Sequence, residues 1–235
     1  MSPFLPLIVL LVLTLTVVPP VAATEQRREA YYSIHAKGMH VGDLQIVTAP
    51  FNREGERVFR FHSTTRIDAA FLFFGVKSQR AEEAVIGESG TLRYQRSGTE
   101  NGRKTSVSGE YDGDAFTLRI TEGDSRRAEV FKRGSYDFTT MDCPEMTLKQ
   151  EGEQVTVRLL DLEDCRVVTR RYHWVKSEDL RIGERTVRCR VIDFEDQANR
   201  CRRWVMRDEL GILIVRQEGR GTSGGYTLKI ASLSR

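Results

Sequence analysis

The chain of 235 residues predicts an all-β protein: a strongly curved antiparallel meander forming a barrel or half-barrel, with one or two short helical turns. Three observations carry this. Apolar and polar residues alternate in short runs with a period of two, as strands with one buried face require. Turn-forming residues separate the runs. No long apolar stripe at helical spacing occurs, and no repeat longer than a hairpin. The pattern is clearest from Arg185 to Ile230. There Val187, Cys189 and Val191 share one side, followed by Cys201, Arg203 and Val205, then Ile212 and Ile214, then Tyr226, Leu228 and Ile230. Such a sheet must bury one face, so the rest of the chain must supply the cover.

In chain order, Glu29 to Gly38 places Tyr32, Ile34 and Ala36 on one side. Gly38-Met39 turns into a second strand, His40 to Thr48, which completes a hairpin. Pro50 to Gly55 reads as a polar loop, and Arg57 to Ile67 as a third strand with Phe59 and Phe61 on one face. Asp68 to Val76 breaks the alternation with Phe71, Leu72, Phe73 and Phe74 side by side. A strand cannot place four adjacent side chains on one face. The expected element is a helical plug capped by Asp68, with an exposed apolar lip as the alternative. Strands follow at Lys77–Ile86 and Leu92–Gly98 around Gly87-Glu88-Ser89-Gly90. A hairpin, Arg103–Asp112 with Ala115–Thr121, buries Phe116, Leu118 and Ile120. Arg126–Lys132 continues the meander. Residues 135–152 lack periodicity and form a connector with a helical turn. Strands Val155–Leu160 and Arg166–Trp174 lead back to the region described first.

Met1 to Ala23 carries no charged side chain, and its apolar run ends in Val21-Ala22-Ala23. This is the pattern of a secretory signal peptide cleaved after Ala23, with a retained membrane anchor as the minor alternative. The expected organisation is signal peptide 1–23 and a single antiparallel β domain 24–235, whose two halves meet at the connector 135–152. The expected location is the periplasm. All 36 basic and 33 acidic residues lie after Ala23, giving a net charge of +3. They are interleaved, as on solvated strand faces, and give no nucleic-acid footprint.

Cys143, Cys165, Cys189 and Cys201 are an even set in an exported chain, which predicts two disulfides. Cys189 and Cys201 lie on consecutive strands, so a cross-strand bridge is within reach. Cys143 with Cys165 is the remaining pair, and two other connectivities stay open.

Four segments carry a family likeness. They are YYSIHAKGMHVGDLQI, FLFFGVKSQRAEEAVIGESGTLRYQRS, GRKTSVSGEYDGD, and RRWVMRDELGILIVRQEGRGTSGGYTLKI with Trp204 and the Asp208-x-x-Gly211 turn. Together the chain resembles an exported bacterial family, the domain of unknown function numbered 3108. The resemblance implies a periplasmic β-barrel-like or half-barrel fold and no established activity. The connector departs from the family pattern in carrying Cys143.

No sequence motif names a reaction. The four histidines, His35, His40, His62 and His173, show no metal-ligand spacing, although His35 and His40 flank one turn. No GxSxG is present, and a hydrolase without a recognisable motif is the low-ranked enzyme reading. The glycine-rich run Gly219 to Gly225 joins two strands instead of opening a helix, so it is a hairpin loop. No metal or cofactor is expected. The leading reading is a non-catalytic envelope protein whose concave apolar face holds a lipid or other amphiphile, lined by Tyr32, Phe59, Phe61, Phe71, Phe73, Phe74 and Trp174. The competing reading is an envelope interaction or assembly factor that meets a protein partner and has a filled core.

Overall fold

The computed structural model describes residues 26–71, 74–221 and 224–234. Fifteen strands form one continuous sheet. The first eight are β1 (Arg28–Ala36), β2 (Met39–Arg53), β3 (Glu56–Phe71), β4 (Phe74–Gly87), β5 (Gly90–Glu100), β6 (Arg103–Tyr111), β7 (Ala115–Glu122) and β8 (Ser125–Lys132). The connector supplies the two-residue β9 (Phe138–Thr139) and one 3-10 turn, Pro144–Thr147. The others are β10 (Gln154–Asp161), β11 (Arg166–Ile182), β12 (Arg185–Glu195), β13 (Arg200–Asp208), β14 (Gly211–Gly221) and β15 (Gly224–Ser234). Every neighbouring pair is antiparallel except β9 with β10. The sheet order runs β8 to β1, then β15 back to β9, so first and last long strands pair in the middle. β8 and β9 are its two ends; the barrel is open.

Tight hairpins set the register. Lys37-Gly38, Glu54-Gly55 and Asn101-Gly102 each have two consecutive positive φ angles, 50 and 80, 54 and 90, 47 and 84 degrees. That is the type I′ geometry, whose twist matches the strands it joins. The middle one corrects the predicted loop at Pro50–Gly55. β2 runs on to Arg53, paired with Glu56, and only Glu54-Gly55 turn.

Three apolar clusters form the core. The first gathers Tyr32, Ile182, Cys189, Val191, Trp204, Leu213, Val215 and Ile230 from six strands, with β11 curling back to meet β15. The second places Leu160, Leu162 and Cys165 of the β10–β11 turn against Tyr94, Val107, Phe116, Leu118 and Ile120. Arg80 latches this turn through Glu163 at 2.6 Å, and Arg96 donates to the Glu163 carbonyl at 3.0 Å. The third lies on the opposite side of β12 from the first. Ile192 and Phe194 join Tyr172, Trp174 and Val205 there, under Leu148 of the connector. Adjacent residues such as Val191 and Ile192 are both fully buried, because this part of the sheet is covered on both faces. The connector crosses between clusters, with Tyr136 and Met141 on the second and Phe138 and Met146 on the third.

Residues 68–71 and 74–76 are strand where the sequence predicts a helical plug. Asp68 pairs with Lys77, Ala69 with Val76 and Phe71 with Phe74, so β3 and β4 run through the segment as a hairpin. β2 ends its pairing with β3 at Ile67, and β5 begins its pairing with β4 at Ser78. The hairpin therefore extends beyond its neighbours as a two-stranded ribbon. Continuation of an established antiparallel ladder outweighs the local break in alternation. The side chains of Phe71, Leu72, Phe73 and Phe74 lie outside the described residues, so the expectation of an apolar lip at those four positions lies there too, as does the signal segment. Among the described residues no helix is long and apolar enough to cross a membrane.

Candidate functional site

Cross-strand pairing sets charged side chains of β11 to β14 around an open cleft of about 740 Å³. Cross-strand partners share a face. Arg171 faces Glu195 and His173 faces Asp193; Asp193 faces Arg202 and Glu195 faces Arg200; Arg202 faces Glu218 and Arg200 faces Arg220. Across the opening stand His35 and Lys37 from the first hairpin and Gln154 from β10. Two residues further along β12 toward its start lies Val191, a member of the first cluster, which is packed next to the cleft and does not line it. The apolar part of the lining is Phe194, Cys201 and Tyr226.

The cleft is partly neutralised. Arg202 makes a bidentate pair with Asp193 at 2.6 and 2.7 Å. Glu195 pairs with Arg171, and with Arg200 at 3.6 Å; Glu218 pairs with Arg216. The cleft lining holds five Lys and Arg against three carboxylates, a surplus of two positive charges before either histidine is protonated. Arg220 is exposed and forms no ion pair among the described residues. The neighbouring first cluster is filled: Cys189 and Val191 are 0% exposed and Trp204 is 6%. Arg216 stacks over Trp204 at 4.7 Å.

On the reverse face of the same strands sits a buried polar layer. Glu145, brought in by the 3-10 turn, is 0% exposed and accepts from Arg203 at 2.7 Å. Arg203 also donates to Gln217 at 2.6 Å and stacks on Phe194 at 4.8 Å. Burial disfavours the Arg203 charge, but Glu145 outweighs it, and the guanidinium is held above its ordinary range. Arg170 lies over Phe194 at 5.2 Å and joins Asp196 at 2.7 Å and Asp161 at 3.2 Å. Burial pushes the Asp196 carboxyl up, but the Ala198 N–H and Arg170 outweigh it and hold it below the usual carboxylate range. This layer locks the connector and two turns to the sheet.

The aromatic residues expected to line one site are dispersed. Tyr32 is in the first cluster, its hydroxyl buried without a partner among the described residues. Trp174 is on the reverse face, stacked under Arg190 at 4.1 Å and donating to the Lys176 carbonyl at 3.0 Å. Phe61 packs on the second cluster, and Phe59 is half-buried beside Arg57. A bulge between Trp174 and Lys176 and the curl of the sheet separate residues that alternation alone assigns to one face. The charged residues of the cleft read in the sequence as solvated strand faces. Their signal in the sequence is a charged i, i+2 doublet on four successive strands: Arg171/His173, Asp193/Glu195, Arg200/Arg202 and Glu218/Arg220.

The two expected disulfides are absent: all four cysteines are free. Cys201 faces Phe194, so Cys189 lies five residues along β12 from the position opposite Cys201. That is roughly 16 Å at strand rise, beyond disulfide reach. Cys143 caps the 3-10 turn beside Glu145, whereas Cys165 ends the β10–β11 turn in the second cluster. Burial pushes the Cys143 thiol up to about 12, with the Glu145 charge adding to it, and the Cys189 thiol up to about 11. In the unfolded chain a thiol ionises near 8.5. Above that pH the unfolded state releases protons the native state retains, so stability falls as pH rises through this window. Denaturant midpoints are therefore expected to drop between pH 8 and 11, and less steeply in Cys189→Ala. A thiol titration in denaturant without reductant is expected to count four thiols; a count of zero restores the disulfide reading.

His35 and His40 do meet across the first turn, rings 5.5 Å apart, and His40 bonds Asp43 at 3.0 Å. Among the described residues no three His, Cys, Asp or Glu side chains converge as metal ligands.

No family model matches the chain, and no curated protein matches it. Its fold is similar to a crystal structure described as a beta-barrel-like protein of domain of unknown function DUF1849 from Brucella abortus. The TM-score is 0.60 at 13% identity, over 88% of this chain and 97% of that one. The likeness establishes a beta-barrel-like fold. It does not extend to the family numbered 3108 that the sequence resembles.

Proposed function

We propose that this chain is a non-catalytic binding protein of the bacterial cell envelope, which takes the anionic head of an amphiphile in its charged cleft. The observation that carries this reading is the surplus of guanidinium groups around an open cleft whose lining also holds Phe194 and Tyr226. Arginine forks suit carboxylate and phosphate heads. The first cluster beside the cleft is packed, so the head is held in the cleft and the tail lies along its opening, outside the filled interior. The envelope location rests on the apolar segment before Ala23. The test is a fluorescence titration with a labelled fatty acid and with its uncharged alcohol analogue. The acid is expected to bind more tightly, salt to weaken it, and Arg200→Glu with Arg220→Glu to weaken it about tenfold. Equal binding of acid and alcohol overturns head recognition in the cleft. Binding of neither overturns the amphiphile reading. The filled first cluster then favours the second reading, an envelope assembly factor that engages a protein partner.

A further inference from the structure

Among the described residues, strand β8 ends the sheet and pairs only with β7. Its hydrogen-bond phase is fixed at both ends. Arg133 N–H donates to the Asp114 carbonyl at 2.7 Å, and the two-residue turn Gly123-Asp124 sets Ser125 opposite Glu122. Bonded and non-bonded pairs alternate along an antiparallel ladder. Odd-numbered residues of β8 therefore bond to β7, while Arg126, Ala128 and Val130 direct their N–H and C=O groups outward. Among the described residues nothing bonds to those outward groups. All three residues are exposed, Val130 at 62%. An eight-residue edge of this kind is a template for another strand.

The charges along the edge select the partner. We propose that a second copy of this chain pairs β8 with β8 about a two-fold axis at Ala128, joining the two sheets across the axis. Ala128 then faces its own copy and Arg126 faces Val130, so every outward N–H and C=O of these residues finds a bond. Arg127 faces Glu129 twice, and Asp124 faces Lys132. Within one chain Arg127 already lies 3.0 Å from Glu129 on the same face, so dimerisation assembles a square of alternating charge. An axis through Arg127 or Glu129 sets like charges opposite each other, and one through Val130 sets Arg127 opposite Arg133. The edge is self-complementary at Ala128 and at none of those positions.

The test is sedimentation equilibrium of the purified protein, with circular dichroism to confirm that each variant is folded. The wild type is expected to form a dimer. Ala128→Pro removes an outward N–H at an edge position that tolerates proline, and is expected to abolish the dimer. Arg127→Glu and Glu129→Arg each set like charges opposite each other and are expected to weaken self-association about tenfold. Mixing these two single variants places Glu opposite Arg at every contact, so heterodimers are expected to form at wild-type strength. A monomeric wild type, a dimer that survives Ala128→Pro, or a mixture that stays monomeric overturns the proposal.

Discussion

Replacing Glu145 with alanine is expected to lower stability by about 3–5 kcal/mol, because it leaves a buried guanidinium without its counter-charge. Glu145 is 0% exposed and Arg203 lies among Phe194, Gln217 and the carboxylate. The alanine variant also frees the connector from the sheet at the point where Arg203 holds it. Urea unfolding followed by circular dichroism checks this: the midpoint falls while the slope holds. Replacing both partners, Glu145→Leu with Arg203→Met, is expected to recover most of the loss, since two well-packed apolar side chains no longer pay for desolvating charge. A loss below about 1 kcal/mol in Glu145→Ala is the behaviour of an exposed pair and sinks the assignment.

Phe116→Ala is the second large effect, about 3–5 kcal/mol from lost transfer energy and the cavity left behind. Phe116 and Leu118 are both 0% exposed, at the centre of the second cluster. Their room is made by Gly109, which faces Leu118 on β6. A Cβ at Gly109 would stand 2.4 Å from the Phe116 ring and 2.7 Å from Leu118 Cδ2. Gly109→Ala is therefore expected to cost about 1–3 kcal/mol by overpacking. In the Phe116→Ala background the same methyl enters the vacated space, and the two losses are expected to sum to more than the double variant shows. Strict additivity in the thermodynamic cycle refutes direct contact between these positions.

The strand pattern was legible because it is local. Phe116, Leu118 and Ile120 alternate, and all three are buried where alternation places them. Turns such as Gly87 to Gly90 and Asp112 to Asp114 were legible because glycine and aspartate carry the backbone preference themselves. The aperiodic connector announced itself by lacking that alternation. Residues 68–71 and 74–76 misled because the adjacent apolar run gives no strand signal, whereas the ladder they extend is specified by partners elsewhere.

Period two tells which residues share a side, but not which side curls inward, nor where a bulge exchanges the two. Tyr32 and Trp174 fall on opposite faces for that reason. Cysteine count likewise carries no register: a five-residue offset between Cys189 and the position opposite Cys201 decides against a bridge. The charged cleft forms because the register of β11, β12, β13 and β14 brings four charged doublets together. Chain order alone thus decides the alternation, the turns and the all-β class, each set within a few residues. Long-range pairing and curvature decide which side chains converge, because they depend on contacts between strands far apart in the chain.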